Sequence, residues 1–189
     1  MNHHDMTRNM VLAALFAALT AIGAFLQIPT GTVPITLQFL FTALAGLLLG
    51  WKWGAISQLL YVGIGLLGLP VFTQGGGIGY VLQPSFGFLV CFIGTQNVPA
   101  AAVIGALTAR RTGYLTVLAA VLVGDLILYA VGVPYMYLIL HVYMQSAKTF
   151  PALLAAMLVY VPGDTLKIIV VTALAPVLRR TLVKAVPNL

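Results

Sequence analysis

Charged side chains are scarce in this chain, which has nine Lys and Arg residues and three Asp and Glu residues among 189. They make up 6% of the residues, whereas a soluble domain has about 25%. Together with a mean hydropathy of +1.08, this scarcity excludes an ordinary soluble domain and predicts an integral membrane protein. The cations do not form a patch, so the net charge of +6 does not indicate nucleic-acid binding.

Residues that commonly bind metals or perform catalysis are also few. The only cysteine, Cys91, cannot form an internal disulfide, and the three histidines lack the spacing to thiols or carboxylates that metal sites show. The glycine-rich segment 73–80 lacks the Gly-Lys-Ser/Thr ending of a phosphate-binding loop. We therefore expect no metal, no cofactor and no nucleotide site.

Long apolar runs without alternation of apolar and polar residues predict membrane-spanning α-helices rather than a barrel. A crossing needs roughly 20 apolar residues. The sequence predicts a single all-α membrane domain over residues 1–189, with no internal repeat and with six crossings. These are expected at residues 10–28, 35–50, 53–69, 86–109, 114–132 and 162–178.

The cations predict the orientation, because positive residues concentrate on the cytoplasmic side. With both termini in the cytoplasm, Lys148 is the only cation outside, and the following cations lie inside: Arg8, Lys52, Arg110, Arg111, Arg179, Arg180 and Lys184. Residues 135–144 and 150–160 are too short to cross, and we expect them to form interfacial or re-entrant helices before the last crossing. An arrangement with eight segments remains an alternative.

One acidic and one basic residue interrupt the last apolar run. Asp164 and Lys167 stand three residues apart, so a helix places both on one face. Ionisable groups within a bilayer are costly and usually functional. We predict that this pair binds a ligand; a purely structural ion pair is the alternative.

Other polar residues are expected at the same depth. At about 1.5 Å per residue, Asp125 and Asp164 both lie roughly 21–22 Å from the cytoplasmic boundary. Tyr129 follows Asp125 by one turn, and Thr36 and Gln38 begin the second helix from the outer side. We predict a shared pocket open to the outside, although Asp125 could be a satisfied buried carboxylate and the other two could stabilise a helix end.

The outer loop between the third and fourth segments is rich in glycine. Gly75, Gly76 and Gly77 let the backbone approach a ligand closely or adopt positive φ, and Tyr80 follows them. We predict that these four residues contact the ligand. A mobile lid or a tight turn is the alternative interpretation.

The first helix carries alanines at spacings of four residues, which allow another helix to approach closely in a membrane. They predict a partner-binding face, although such spacings are common. The alanines concerned are Ala13, Ala14, Ala17, Ala18 and Ala21.

The joint pattern resembles the BioY family. The segments that carry the resemblance are Val33-Pro34-Ile35-Thr36-Leu37-Gln38, Gly65-Leu66-Leu67-Gly68-Leu69-Pro70-Val71-Phe72, the glycine loop, and Pro162-Gly163-Asp164-Thr165-Leu166-Lys167. The pattern departs from the family at residues 83–87, Gln83-Pro84-Ser85-Phe86-Gly87, where Gly-Pro-Thr-Gly-Gly is usual, and at residues 96–99.

The resemblance implies a substrate-binding S component of an energy-coupling factor biotin transporter. Such a protein would capture biotin with high affinity from the outer face of a bacterial plasma membrane. It implies pairing with a transmembrane coupling protein, which the alanines of the first helix would contact, and with two cytoplasmic ATPases. It also implies that Asp164 and Lys167 bind biotin.

The biotin chemistry is compatible with two assignments for the lysine. Asp164 can accept hydrogen bonds from the ureido N–H groups, while Lys167 can donate to the ureido oxygen or pair with the carboxylate. Three other functions remain as alternatives: a carrier that works without ATPases, an intramembrane enzyme using Asp125 and Asp164, and a structural subunit that binds no small molecule.

Overall fold

The computed structural model describes residues 3–30, 33–93, 100–108 and 113–185, and within these ranges the chain forms seven α-helices. They are α1 (His3–Phe25), α2 (Gln38–Leu66), α3 (Phe86–Ile93), α4 (Ala100–Thr108), α5 (Tyr114–Leu138), α6 (Phe150–Met157) and α7 (Val161–Ala185). Two short strands, β1 (Gln27–Ile28) and β2 (Ile35–Thr36), pair antiparallel between α1 and α2.

Four stretches of the described chain are long and apolar enough to cross a membrane: Asp5–Phe25, Gln38–Leu66, Tyr114–Tyr143 and Val161–Arg179. The fold is therefore that of a predominantly helical membrane protein, as the composition predicts.

Helix α2 folds back on itself at Gly50, whose φ of +77° and ψ of 179° are not helical. The two halves pack side by side: a Cβ on Gly54 would lie 2.9 Å from the Cα of Gly46. Further along, the Thr42 hydroxyl donates to the Gln58 side-chain oxygen at 3.0 Å. The halves are thus antiparallel, and the break falls at Gly50, the last residue of the predicted segment 35–50, just before the predicted segment 53–69.

A buried polar cluster joins α1 to this hairpin. The Gln58 amide contacts the hydroxyls of Thr20 at 3.3 Å and Ser57 at 3.0 Å, and all three side chains are fully buried. Hydrogen bonds between membrane helices stabilise their packing by about 0.6 kcal/mol on average. The cluster fixes the rotation of α1, and therefore decides which of its residues face outward.

Because of this rotation, two of the five alanines in the predicted partner-binding face are buried within the chain. Ala13 and Ala17 belong to the core of this chain, so they are not available to another protein in this conformation. Ala14 and Ala18 are exposed, and Ala21 is partly buried. Small residues allow close approach to any neighbouring helix, and here two of them are buried within this chain.

The segments after residue 85 differ in detail from the prediction. α3 and α4 occupy the predicted segment 86–109, but Gln96, Asn97, Arg110 and Arg111 lie outside the described residues. The separate helix predicted over 135–144 is wrong.

Helix α5 continues through Pro134 to Leu138, and a π-helical turn, Ile139–Tyr143, follows directly. Proline removes one backbone donor, but a helix within a membrane bundle tolerates it. The short segment expected over 150–160 contains α6, with a proline in its first turn as helix starts favour.

The described chain has two distinct ends. At one, a Cβ on Gly105 of α4 would lie 2.5 Å from the backbone nitrogen of Trp51, so α4 packs on the Gly50 turn. The Arg179 guanidinium donates to the Thr108 carbonyl at 3.1 Å, which brings the last part of α7 to the same end. The beginnings of α2 and α7 lie at the opposite end, which we call the β-ribbon end because β1 and β2 are there.

Candidate functional site

A cavity opens at the β-ribbon end, with an empty volume of about 650 Å³ that includes space open to solvent. We call it the main cavity. Its apolar wall consists of Val33, Pro34, Ile35, Phe39, Phe88, Leu89, Phe92, Leu128 and Met157. Its polar lining residues are Thr36, Gln38, Thr73, Tyr80, Ser85, Tyr129, Tyr160, Asp164 and Lys167.

Asp164 and Lys167 form an ion pair in the wall of this cavity. The lysine Nζ lies 2.5 Å from the Asp164 Oδ1. Each residue is 7% exposed. Asp164 stands in the first turn of α7, where the helix dipole favours a negative charge, and its backbone N–H donates to the Tyr160 carbonyl at 2.9 Å. Burying two charges is favourable only with good geometry and additional hydrogen bonds.

Those additional hydrogen bonds come from two other elements. The Tyr129 hydroxyl on α5 donates to Oδ2 of Asp164, so both carboxylate oxygens have a partner. The Lys167 ammonium donates to the backbone carbonyl of Thr36 at 3.3 Å. An ammonium has three donors, and these contacts use two of them. The geometry leaves one lysine donor and several carboxylate lone pairs for a ligand.

Thr36 and Gln38 form hydrogen bonds at the start of α2 and also line the main cavity. The Thr36 hydroxyl donates to the Gln38 side-chain oxygen at 2.9 Å, and the Gln38 amide donates to the Tyr61 hydroxyl at 2.7 Å. Tyr61 in turn donates to the Val71 carbonyl at 3.1 Å. The two interpretations of these residues are therefore compatible, because both side chains are held in fixed positions and both line the main cavity.

The glycine loop was predicted to contact the ligand, but its three glycines lie outside the cavity wall. Gly75, Gly76 and Gly77 do not line the main cavity, whereas Tyr80 does. Gly75 and Gly77 have φ values of +112° and +103°, and the Gly77 N–H donates to the Gly65 carbonyl at 2.7 Å. The three glycines shape a tight turn that packs on the end of α2.

Asp125 is likewise absent from the cavity wall, which corrects the prediction of a pocket shared by both membrane aspartates. Its Oδ1 is buried and has no hydrogen-bond partner among the residues that the structure describes. Four residues along a helix add about 40° of rotation and 6 Å of depth. This offset separates Asp125 from the wall that Tyr129 reaches.

Three polar residues that line the main cavity were not predicted as ligand contacts: Thr73, Ser85 and Tyr160. Thr73 shares a hydrogen bond of 2.8 Å with Tyr80, and Ser85 lies 3.4 Å from the Tyr80 hydroxyl. Tyr160 donates to the Val33 carbonyl and holds the segment before β2 against the cavity. Ser85 lies in the segment 83–87, where the sequence departs from the family pattern, and Tyr160 directly precedes α7. Their closeness to these motifs is the sequence feature that could have indicated a place in the cavity wall.

The chain matches the model of the BioY family over residues 1–184. It is 52% identical over 146 residues to a probable biotin transporter BioY of Lysinibacillus sphaericus, covering 76% of this chain and 72% of that one. It is 34% identical to the biotin transporter BioY of Thermotoga maritima over 169 residues, which are 89% and 94% of the two chains.

A crystal structure of the S-component for biotin from an ECF-type ABC transporter has the same fold. The TM-score is 0.82 with 29% sequence identity, and the alignment covers 95% of each chain. Family model, relatives and fold agree along nearly the whole length. The chain therefore belongs to the BioY family.

Proposed function

We propose that this protein binds biotin in the main cavity and serves as the S component of an ATP-driven energy-coupling factor transporter. The observation that carries the proposal is the buried Asp164–Lys167 pair in the cavity wall of a chain with the BioY fold. Biotin is the transported ligand here, and we expect no cofactor. As a member of this family the chain is a transport protein and not an enzyme.

The pair complements the ureido ring of biotin. A cyclic urea presents N–H donors beside a carbonyl acceptor, and Asp164 and Lys167 present an acceptor beside a donor at 2.5 Å. We assign the ureido N–H groups to the carboxylate and the ureido oxygen to the ammonium. The apolar wall suits the bicyclic ring and the valeryl chain, as in most small-molecule sites.

The charge distribution supports six crossings with both termini in the cytoplasm. The two halves of α2 serve as two crossings, and α3 and α4 together serve as one. Lys52 and Arg179 lie at the same end of the molecule as the Gly50 turn. The last part of α1 packs at the start of α2, where a Cβ on Gly23 would lie 3.1 Å from the Gln38 nitrogen. The first part of α1, with Arg8, therefore lies at the end of the Gly50 turn too. Cations concentrate on the cytoplasmic side, so the main cavity would open outward.

Energy for uptake would come from partners, because the sequence contains no phosphate-binding loop. The partners are a transmembrane coupling protein and two ATPase subunits. On α1 the exposed Ala14 and Ala18 are the predicted residues that remain available for close contact with the coupling protein.

Titration calorimetry of the purified protein in an uncharged detergent tests ligand identity. We expect saturable one-to-one binding of biotin and a loss of affinity of at least tenfold for diaminobiotin, which lacks the ureido carbonyl. Membrane vesicles with and without the coupling module test the energy source. An unrelated vitamin that binds more tightly than biotin would contradict the proposed function.

Tyr129→Phe removes the hydroxyl that donates to Asp164 and leaves the ring in place. A hydrogen bond to a charged group contributes about 1.5–3 kcal/mol, so we expect biotin affinity to fall by about 10- to 100-fold. Tyr137→Phe is the matched control, because Tyr137 stacks on His141 and does not line the main cavity. Equal affinities of the two variants in calorimetry would show that Tyr129 does not position the carboxylate.

A further inference from the structure

A second cavity lies beside the main one, with an empty volume of about 700 Å³ that includes open space. We call it the outer chamber. Its lining residues include Thr30, Met136, Lys148, Leu153, Met157 and Tyr160. Met157 and Tyr160 also line the main cavity, so the two spaces share a wall.

Among the residues that the structure describes, Lys148 is the one charged residue that lines the outer chamber. It is exposed, and its ammonium makes no ion pair within the part of the chain that the structure describes. Of the three acidic residues in the sequence, Asp5 pairs with Arg8 at 3.3 Å, Asp164 pairs with Lys167, and Asp125 forms no ion pair within the described residues. The positive charge beside this cavity is thus not neutralised by the described side chains.

The remaining polar groups of the chamber already have partners. The hydroxyls of Thr30 and Tyr160 lie 2.8 Å apart, and Tyr160 donates to the Val33 carbonyl. The other lining side chains are apolar. An apolar space with a single available cation matches a molecule that has an apolar chain ending in a carboxylate.

We propose that the outer chamber is an access site for an amphipathic monocarboxylate, in which Lys148 attracts the carboxylate before the uncharged head passes Met157 and Tyr160. The inference rests on the proposed function, because the carboxylate is that of biotin. It also assigns separate partners to the two ends of the ligand: the ureido ring to Asp164 and Lys167, and the carboxylate to Lys148.

The effect belongs chiefly to the association rate. An exposed ion pair adds little to affinity, whereas an unneutralised charge beside an opening raises the local concentration of an oppositely charged ligand. Because the Debye length falls from about 10 Å at 0.1 M salt to about 3 Å at 1 M, the attraction weakens with added salt.

Stopped-flow mixing of biotin with the full chain in an uncharged detergent tests the proposal. We expect Lys148→Glu to lower the association rate by about 3- to 10-fold at low salt and by less at 1 M salt. Lys148→Arg should keep the wild-type rate. Lys52→Glu is the control, because it changes the net charge equally at the opposite end of the molecule.

Biotin methyl ester separates electrostatics from shape, because it lacks the charge and keeps the rest of the ligand. We expect the same association rate for the ester in wild type and Lys148→Glu. Rates are normalised to the fraction of protein that binds biotin at saturation. Lys148→Gln, which only removes the charge, should give an association rate between those of wild type and Lys148→Glu. A biotin association rate unchanged in Lys148→Glu and Lys148→Gln, or an equal fall in the association rate of the ester, would overturn the access site. A wild-type protein that binds no biotin would instead overturn the proposed function.

Discussion

Replacing Asp164 by Asn or Lys167 by Ala will lower the affinity for biotin by at least about 100-fold. Each variant removes charge-assisted hydrogen bonds to the ureido ring, and such bonds contribute about 1.5–3 kcal/mol each. Asp164→Asn also turns an NH₂ group or a neutral oxygen toward the ammonium 2.5 Å away. Lys167→Ala leaves the carboxylate with the Tyr129 hydroxyl as its one side-chain partner among the described residues.

Breaking a buried ion pair also destabilises the fold by about 3–5 kcal/mol, so the single variants do not by themselves separate binding from structure. The double variant Asp164→Asn with Lys167→Met does. It removes both charges, keeps the approximate volumes and leaves no unpaired ion in the apolar wall. We expect its thermal unfolding midpoint in detergent to exceed that of Lys167→Met alone, while biotin binding stays absent.

Calorimetry and thermal unfolding of the single variants and of the double variant decide between the two roles of the pair. If the pair is purely structural, the double variant recovers binding together with stability. If Asp164 and Lys167 contact the ligand, only stability recovers. Wild-type affinity in both single variants would remove these residues from the site.

The sequence predicts much of the cavity wall, and it does so where regular helix geometry applies. Asp164 and Lys167 lie on one face of α7 because residues three apart are neighbours on a helix. Tyr129, which was predicted one turn beyond Asp125 on the same helix face and in the same polar layer, is hydrogen bonded to Asp164. Thr36, Gln38 and Tyr80, which were predicted to contact the ligand, also line the main cavity.

Residue counting gives approximate depth but not rotation, and this explains the failure at Asp125. Counting placed Asp125 at the depth of the pair, but Tyr129, about 6 Å further along α5, is the residue that reaches Asp164, and Asp125 does not line the main cavity. The alanines of α1 show the same limit. Spacing of small residues indicates that a helix approaches closely, but only the rotation fixed by the Gln58 cluster decides that Ala13 and Ala17 face this chain's own core.

Breaks in helices are the other source of differences. Gly50 turns α2 back because glycine adopts positive φ at little cost, and the sequence placed a break nearby. The predicted crossing 114–132 ends before Pro134, but α5 continues through this proline to Leu138. A proline stops a helix when its freed carbonyl has no other partner, and that depends on neighbouring helices rather than on local sequence.

Gly76→Ala will lower biotin affinity by about tenfold or more, although residue 76 does not line the main cavity. A Cβ on Gly76 would lie 2.1 Å from the Leu69 carbonyl oxygen and 3.0 Å from the Gly65 carbonyl oxygen. Both obstacles are backbone atoms, so relief requires the loop to move away from the end of α2. The Gly77 to Gly65 hydrogen bond of 2.7 Å would then be lost.

The loop carries cavity residues on both sides of the glycines. Thr73 precedes them, Tyr80 follows them, and the two hydroxyls share a hydrogen bond of 2.8 Å. Moving the turn therefore displaces both side chains from the wall. Gly79→Ala is the matched control in the same loop, because a Cβ there meets no atom within 4 Å and the φ of Gly79 is not positive.

The comparison of Gly76→Ala with Gly79→Ala distinguishes a fixed turn from a mobile lid. A lid that closes over the ligand would respond to stiffening at either glycine, so both variants would change the association rate. A fixed turn responds only at the position where the backbone is in contact. We expect Gly76→Ala to raise the dissociation constant in calorimetry and Gly79→Ala to match the wild type. Equal affinities for the three proteins would show that the loop does not position Thr73 and Tyr80 for the ligand.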